Sequence, residues 1–145
     1  MPTPKAAPDH HDAELVLKLY DLRRESVMRA SRNAMVKFAP RSYDDVEARL
    51  RPVHPDNAAW RQVSSYFEMA YGFARHGIVH PDFLAENTGE GMLLFAKLHP
   101  YLAELRRDTA PTALMNAEWL VEHSESARRR FDTFTARLRK TAAAK

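Results

Sequence analysis

Hydrophobic residues recur along this chain at spacings of three and four, the period of a helix that buries one face. The first predicted helix is capped by Asp9 or Asp12 and runs to about Phe38, before a proline. It carries two apolar seams that differ in phase, which predicts a bend over Arg24 to Val27. The first seam is Leu15, Leu19 and Leu22, and the second is Met28, Ser31, Met35 and Phe38.

Two short helices are predicted in the connections. Ser42 followed three residues later by Asp45 is typical of a helix start, so Tyr43 to Leu50 should form a short helix that the following prolines end. A proline at a first helical position predicts one or two further turns over residues 80–84.

The segment 57–76 is predicted to be the central helix of the core. Its apolar face is wide and leaves few positions for water. Gly77 is expected to end it in the left-handed conformation that glycine adopts without a steric penalty. The apolar residues at helical spacing are Trp60, Val63, Phe67, Ala70 and Ala74, of which Trp60 and Phe67 are expected to anchor the core.

Two more long helices are predicted in the second half of the chain. One covers residues 92–105, and Pro100 inside it predicts a kink near His99, because proline has no amide hydrogen to donate. The other is expected to be capped by Thr112 and to continue as one helix to Leu138. Its apolar stripe is Leu120, Ser124, Ala127, Phe131, Phe134 and Leu138.

These elements predict an all-α fold. No stretch alternates with period two, so no strand is expected. The arrangement should be an antiparallel four-helix bundle-like domain with two short connecting helices. Residues 1–11 are predicted to be a disordered N-terminal tail, residues 12–140 a single helical domain, and residues 141–145 a disordered C-terminal tail.

A set of motifs lies between residues 60 and 125: an aromatic and Glu pair with a terminal Arg-x-Gly, a proline six residues before an arginine, and a Trp-Leu pair. The residues concerned are Phe67, Glu68, Arg75, Gly77, Ile78, Phe83, Leu84, Pro100, Arg106, Trp119 and Leu120. With these motifs the chain resembles a widespread bacterial family of small helical domains of unknown function. The resemblance implies the fold and no activity. Family members often follow a membrane anchor, which is not expected here because residues 1–11 are polar.

The positive charge of the chain is concentrated at its carboxyl end. The 145 residues have a formal net charge of +3, and its excess lies after residue 127, where seven cations accompany one carboxylate, Asp132. The absence of cysteine excludes disulfides and thiolate metal sites. No apolar run approaches the roughly 20 residues of a membrane-spanning helix, so a cytoplasmic protein without a membrane span is expected.

The C-terminal cations form a candidate anion-binding site. Clustered arginines on one helix attract phosphates. The alternative is a solvated helix face, since cations near the carboxyl end of a helix are favoured by its dipole. The residues are Arg128, Arg129, Arg130, Arg137, Arg139 and Lys140.

A second candidate is Glu68, which lies in the most apolar predicted helix. Arg61 and Arg75 are seven residues before and after it, on the same face. This spacing predicts a buried ion-pair network. The alternative is a general acid or base with a raised pKa, but no second carboxylate or nucleophile accompanies it.

The histidines do not predict a metal site. His76 and His80 have the spacing of a helical metal pair, but Gly77 and Pro81 should end the helix between them. No metal ligand, cofactor or catalytic residue is therefore predicted.

These observations rank three function classes. The leading hypothesis is a non-catalytic protein-interaction or scaffold module that self-associates or binds another protein, because every long helix carries a wide apolar stripe. The alternative is a polyanion or nucleic-acid binder that uses the basic C-terminal helix. An enzyme built around Glu68 is the third.

Overall fold

Helices form where the apolar spacing predicts them. The computed structural model describes residues 3–144, and no strand occurs among these residues, so the all-α prediction is confirmed. The helices are α1 (His10–Arg23), α2 (Ser26–Lys37), α3 (Tyr43–Leu50), α4 (Asn57–Arg75), α5 (Pro81–Glu86), α6 (Gly89–Leu98), α7 (Leu102–Asp108), α8 (Met115–His123) and α9 (Glu125–Ala143).

The helices pack as a bundle around α4. This helix contacts α2 and α8 most extensively, and α6 packs against α9. The short helices α3 and α5 lie in the connections, so the predicted bundle-like architecture with two short connecting helices is confirmed. No helix within residues 3–144 is both long and apolar enough to cross a bilayer.

The predicted bend in the first long helix is a break at Arg24 and Glu25. A new helix starts there because the Glu25 carboxylate accepts hydrogen bonds from the amides of Val27 (3.0 Å) and Met28 (2.9 Å). The second apolar seam is buried as predicted. Leu22, predicted in the first seam, is 57% exposed, so that seam is shorter than predicted.

The helix α4 has the buried face predicted for the central helix. Its five apolar residues at helical spacing are all buried, with Trp60 7% and Phe67 4% exposed. Gly77 follows the helix with a φ of 74°, a conformation that costs glycine nothing and other residues about 1 kcal/mol or more.

Pro100 divides the third predicted helix as expected. The helix α6 ends at Leu98, a 3₁₀ turn covers His99–Tyr101, and α7 then begins. Because proline cannot donate an amide hydrogen bond, the helical ladder is interrupted at this point.

The prediction of a single last helix was wrong. Ser124 has an extended backbone and separates α8 from α9, because its hydroxyl accepts a hydrogen bond from the amide of Ala127 (3.1 Å) and donates one to Asp82 (2.6 Å). Thr112 is not the cap either. Leu114 precedes α8 instead, with a left-handed φ of 58°.

The carboxylate of Asp12 links the start of α1 to the start of α5 through hydrogen bonds. This side chain is fully buried and accepts hydrogen bonds from Lys5 Nζ (2.7 Å) and from the backbone amide of His80 (3.0 Å). Asp9, one of the two residues predicted to cap this helix, is the N-cap of α1. Lys5, in the predicted N-terminal tail, therefore contacts the folded helices.

The predicted domain boundaries at residues 11 and 140 stay a prediction. The helix α1 begins at His10, and α9 ends at Ala143. Parts of the two predicted tails, Met1, Pro2 and Lys145, lie outside the described residues.

The buried lysine Lys97 is a residue that sequence reasoning did not single out. Its ammonium group donates hydrogen bonds to the carbonyls of Met35 (3.0 Å) and Val36 (2.7 Å) at the carboxyl end of α2. A cation stabilises such a helix end, whose carbonyls have no partner within the helix. Burial lowers the pKa of Lys97 to about 8, since the uncharged amine loses less hydration.

Candidate functional site

The predicted anion-binding residues lie on α9, where the helix period divides them between two faces. We call Arg129, Arg130 and Arg137 the arginine face. Together with Thr133 and Phe134 they line an open groove of about 250 Å³. Arg128 and Arg139, eleven residues apart, occupy the opposite face with Asp132. Lys140, three residues after Arg137, lies on the side of the arginine face but does not line the groove. The 100° rotation per residue would have revealed this division from the sequence.

A second groove continues from the first toward α1. It has a volume of about 400 Å³ and shares Arg130 and Phe134 with the groove of the arginine face. We call it the α1–α9 groove. Its other lining residues include Tyr20, Arg23, Gly89 and Glu90.

Arginines and aromatic rings alternate along these two grooves. The Arg23 guanidinium lies 4.3 Å from the centroid of the Tyr20 ring, and that of Arg137 lies 5.9 Å from the centroid of Phe134. Such contacts hold the guanidinium groups beside the rings without consuming their hydrogen-bond donors. Phe134 was predicted to belong only to the apolar stripe, yet it is only half-buried and lines both grooves.

Arg130 is held against the start of α6. Its Nη2 donates to the carbonyl of Glu86 (3.1 Å), and its guanidinium lies directly over Gly89. A glycine at position 89 leaves the room for this approach, because a Cβ atom there would meet Arg130 Nη1.

Glu90, an acidic residue of the α1–α9 groove, is neutralised by Arg32. The guanidinium donates two hydrogen bonds to the carboxylate, at 2.8 and 2.7 Å, and its other nitrogen binds the carbonyl of Arg23 at 2.9 Å. These bonds from Arg32 lower the pKa of Glu90 below its ordinary value. The paired carboxylate therefore offsets less of the positive charge of Arg23 and Arg130.

Glu68, the second candidate, caps α8. Its two carboxylate oxygens accept hydrogen bonds from the backbone amides of Asn116 (3.1 Å) and Ala117 (2.8 Å). Leu114, the residue before α8, offers no side-chain acceptor, so Glu68 takes the place of a cap that the local sequence lacks. A helix start without a nearby capping residue is the signal that could have predicted this role.

The predicted network of Glu68 with Arg61 and Arg75 differs from what the structure contains. Among the described residues Glu68 makes no direct salt bridge to either arginine. Arg75 donates instead to the side-chain oxygen of Asn116 at 2.6 Å, while Arg61 donates to Asn57 at 3.0 Å. Backbone amides take the place of guanidinium groups because the amino-terminal end of α8 points at the carboxylate.

The surroundings of Glu68 act on its pKa in opposite directions. Burial is the largest effect and raises the pKa, while the two amide hydrogen bonds and the charges of Arg75 and Arg106 lower it. The net result is a pKa above the ordinary value of a glutamate. Beside Glu68 lies a cavity of about 230 Å³, which also contacts Trp60.

The two histidines considered as metal ligands have other partners. His80 Nδ1 accepts a hydrogen bond from the amide of Phe83 (3.2 Å) and caps α5, whereas His76 lies 3.1 Å from the Arg75 guanidinium. Within residues 3–144 no group of three or more His, Cys, Asp or Glu side chains is placed to hold a metal ion.

One comparison with known proteins gives a match. The sequence model of a family described as a domain of unknown function (DUF4760) matches residues 8–124. No curated protein and no solved structure matches the chain. The matched range includes Glu68 and its cavity and ends before α9, which carries the arginine face.

Proposed function

This chain belongs to the DUF4760 family of domains of unknown function, and we propose that it binds single-stranded nucleic acid along α9. The observation that carries the proposal is the pair of adjoining grooves that share Arg130 and Phe134. A strand would follow the arginine face and continue into the α1–α9 groove.

The charge distribution favours α9 as the contact surface. Residues 1–127 carry more carboxylates than lysines and arginines, so the positive charge of the chain is concentrated on this helix. A phosphate backbone is attracted to such a concentration, and each neutralised phosphate releases a condensed counterion. Binding should therefore be confined to one surface and be sensitive to salt.

The aromatic rings favour a single strand over a duplex. Tyr20 is 48% exposed, and Phe134 lines both grooves between arginines. Unpaired bases can stack on aromatic rings and guanidinium planes, whereas the bases of a duplex are already stacked on each other.

The proposal predicts that removing the arginine face weakens binding more than removing the same charge elsewhere. Arg129→Ala with Arg137→Ala should reduce the affinity for a fluorescein-labelled oligonucleotide of mixed sequence at least tenfold, measured by anisotropy at low salt. The plot of log K against log salt should also become shallower, by about 0.7 for each phosphate that the variant no longer neutralises.

Arg128→Ala with Arg139→Ala is the matched control, because it removes the same charge from the opposite face of the same helix. Its affinity should stay within about threefold of the unmodified chain. Equal reductions of affinity in the two double variants would mean that only the net charge matters, and unchanged affinity in both would refute the proposal.

Self-association is a second candidate function, favoured by apolar side chains exposed near the junction of α1 and α2. Leu17 is 68%, Leu22 57% and Val27 62% exposed within eleven residues of sequence. Burying such side chains between two copies would remove apolar area from water. The predicted cytoplasmic location stays a proposal as well.

This candidate predicts a concentration-dependent mass. Light scattering after size exclusion should give a dimer at micromolar concentrations, twice the 16.6 kDa of one chain. Leu17→Ser with Val27→Ser should restore the monomer, whereas the arginine variants should not. A monomeric mass for the unmodified chain at the highest concentration tested would contradict self-association.

A further inference from the structure

A cavity of about 230 Å³, open to solvent on one side, lies between α4, the end of α3, α7 and the segment that joins α7 to α8. It is separate from the surface proposed for nucleic acid, since none of its described lining residues belongs to α1, α6 or α9. At roughly 30 Å³ for each water in the liquid, it has room for about eight water molecules or a small organic ligand.

The lining of this cavity has one wall from α4 and one apolar wall opposite. Trp60, Ser64 and Glu68 follow one another at a spacing of four and so share one face of α4. The opposite wall includes Leu105 of α7 and Leu114 before α8. A ligand would therefore meet an indole and leucine side chains along most of its length and a carboxylate at one end.

Glu68 alone is charged among the described residues that line the cavity. Each of its oxygens accepts one backbone amide, and an ionised carboxylate has about four acceptor positions in all. Acceptor positions therefore remain for a ligand. The two amides also fix the carboxylate in place, so that binding need not order a free side chain.

The indole provides an apolar surface for the body of the ligand. Trp60 is 7% exposed and lines the same cavity two turns before Glu68. A neutral ligand would lack the charge attraction of the carboxylate, and an anion would be repelled by it.

We propose that this cavity binds a small organic cation, a primary ammonium group carried on an apolar body, with the ammonium on Glu68 and the body against Trp60 and Leu105. Ser64 provides a further acceptor, because its hydroxyl donates to the carbonyl of Trp60 (2.6 Å) and leaves its oxygen lone pairs free. Burial also raises the pKa of the Glu68 carboxyl, and a bound cation would lower it again.

The test compares three probes of similar size and different charge: 2-phenylethylamine, 2-phenylethanol and phenylacetate. Isothermal titration should give the amine a Kd of about 1 mM or lower, which is within reach of a ligand of this size. The alcohol should bind at least tenfold more weakly, and phenylacetate should not bind. Failure of the amine to bind, or equal affinity for amine and alcohol, would overturn the proposal.

Two variants locate the binding site. Glu68→Gln removes the charge and should lower the affinity for the amine at least about tenfold, while the affinity for the alcohol should stay unchanged. The reason is that a hydrogen bond to a charged group contributes more than a neutral one. Glu122→Gln is the matched control, because this carboxylate of α8 is exposed and does not line the cavity. Equal affinity of the amine for Glu68→Gln and for the unmodified chain would overturn the assignment.

A third variant covers the case in which Glu68→Gln fails to fold, which circular dichroism would reveal. Ser65→Phe places a bulky ring at the mouth of the cavity from an exposed position and leaves Glu68 and its amide partners in place. This variant should lower the affinity for the amine and the affinity for the alcohol by similar factors. Unchanged amine binding in the folded Ser65→Phe variant would show that the amine binds elsewhere. Neither result depends on whether α9 binds nucleic acid.

Discussion

Phe67→Ala is expected to lower the free energy of unfolding by about 3 to 5 kcal/mol, out of the roughly 5 to 15 kcal/mol that a domain has in total. The ring is 4% exposed and stacks on Tyr71 with a centroid distance of 6.0 Å. Truncation loses its transfer free energy and leaves a cavity that the surrounding helices cannot fill. The melting temperature should fall by roughly 10 °C or more, measured by circular dichroism or calorimetry.

Trp60→Ala and Arg129→Ala are the comparisons for this variant. Trp60 contacts Phe38 edge to face at 6.4 Å, so its truncation should cost a similar amount. Arg129 forms an exposed salt bridge with Glu125, and its removal should leave the melting temperature almost unchanged. Similar small shifts for all three variants would mean that α4 buries a different face.

Gly91→Ala is expected to destabilise the fold by about 2 kcal/mol although alanine favours helices. Alanine gains up to about 1 kcal/mol over glycine in a helix, whereas overpacking a rigid core costs about 1 to 3 kcal/mol or more. A Cβ atom here would meet the Tyr71 hydroxyl and would lie 2.7 Å from carbons of the Phe67 ring. Tyr71 is fully buried and donates a hydrogen bond to the carbonyl of Thr88 at 2.7 Å, so it cannot move aside.

Gly89→Ala is the matched control two residues earlier in the same helix. Its Cβ would meet only Arg130, an exposed side chain that can move toward solvent at the cost of one exposed hydrogen bond to the carbonyl of Glu86. Chemical denaturation should therefore find Gly89→Ala close to the unmodified chain and Gly91→Ala clearly less stable. A stabilised Gly91→Ala would show that α4 and α6 approach less closely than described.

The sequence by itself determined most of the helices and the buried face of the central helix α4. Trp60 and Phe67 lie seven residues apart, and any helix places them on one side, so their burial followed from spacing alone. Pro100 and Gly77 constrain the backbone within one turn of their own positions. Each of them therefore marked the end of a helix without reference to distant residues.

Ser124 shows where this local reasoning stops. The apolar stripe continues past it without a change of period, so the spacing predicted one helix. Besides the local cap that Ser124 forms with the amide of Ala127, the break involves Asp82, forty-two residues earlier in the chain. Asp82 accepts a hydrogen bond from the Ser124 hydroxyl and one from the amide of Ser126 (3.2 Å). Neither residue carries a local signal of that partnership.

For the candidate sites, too, the local sequence identified the residues and the tertiary structure decided how they are arranged. The sequence identified the arginines of α9 and singled out Glu68, because charge type and helical spacing can be read along one element. Only the tertiary structure decided that Arg130 and Phe134 join two grooves, and that Glu68 caps α8 beside a cavity. A groove or a cavity is a space between elements distant in sequence. Its shape depends on how the helices pack, which the period of any single helix does not specify.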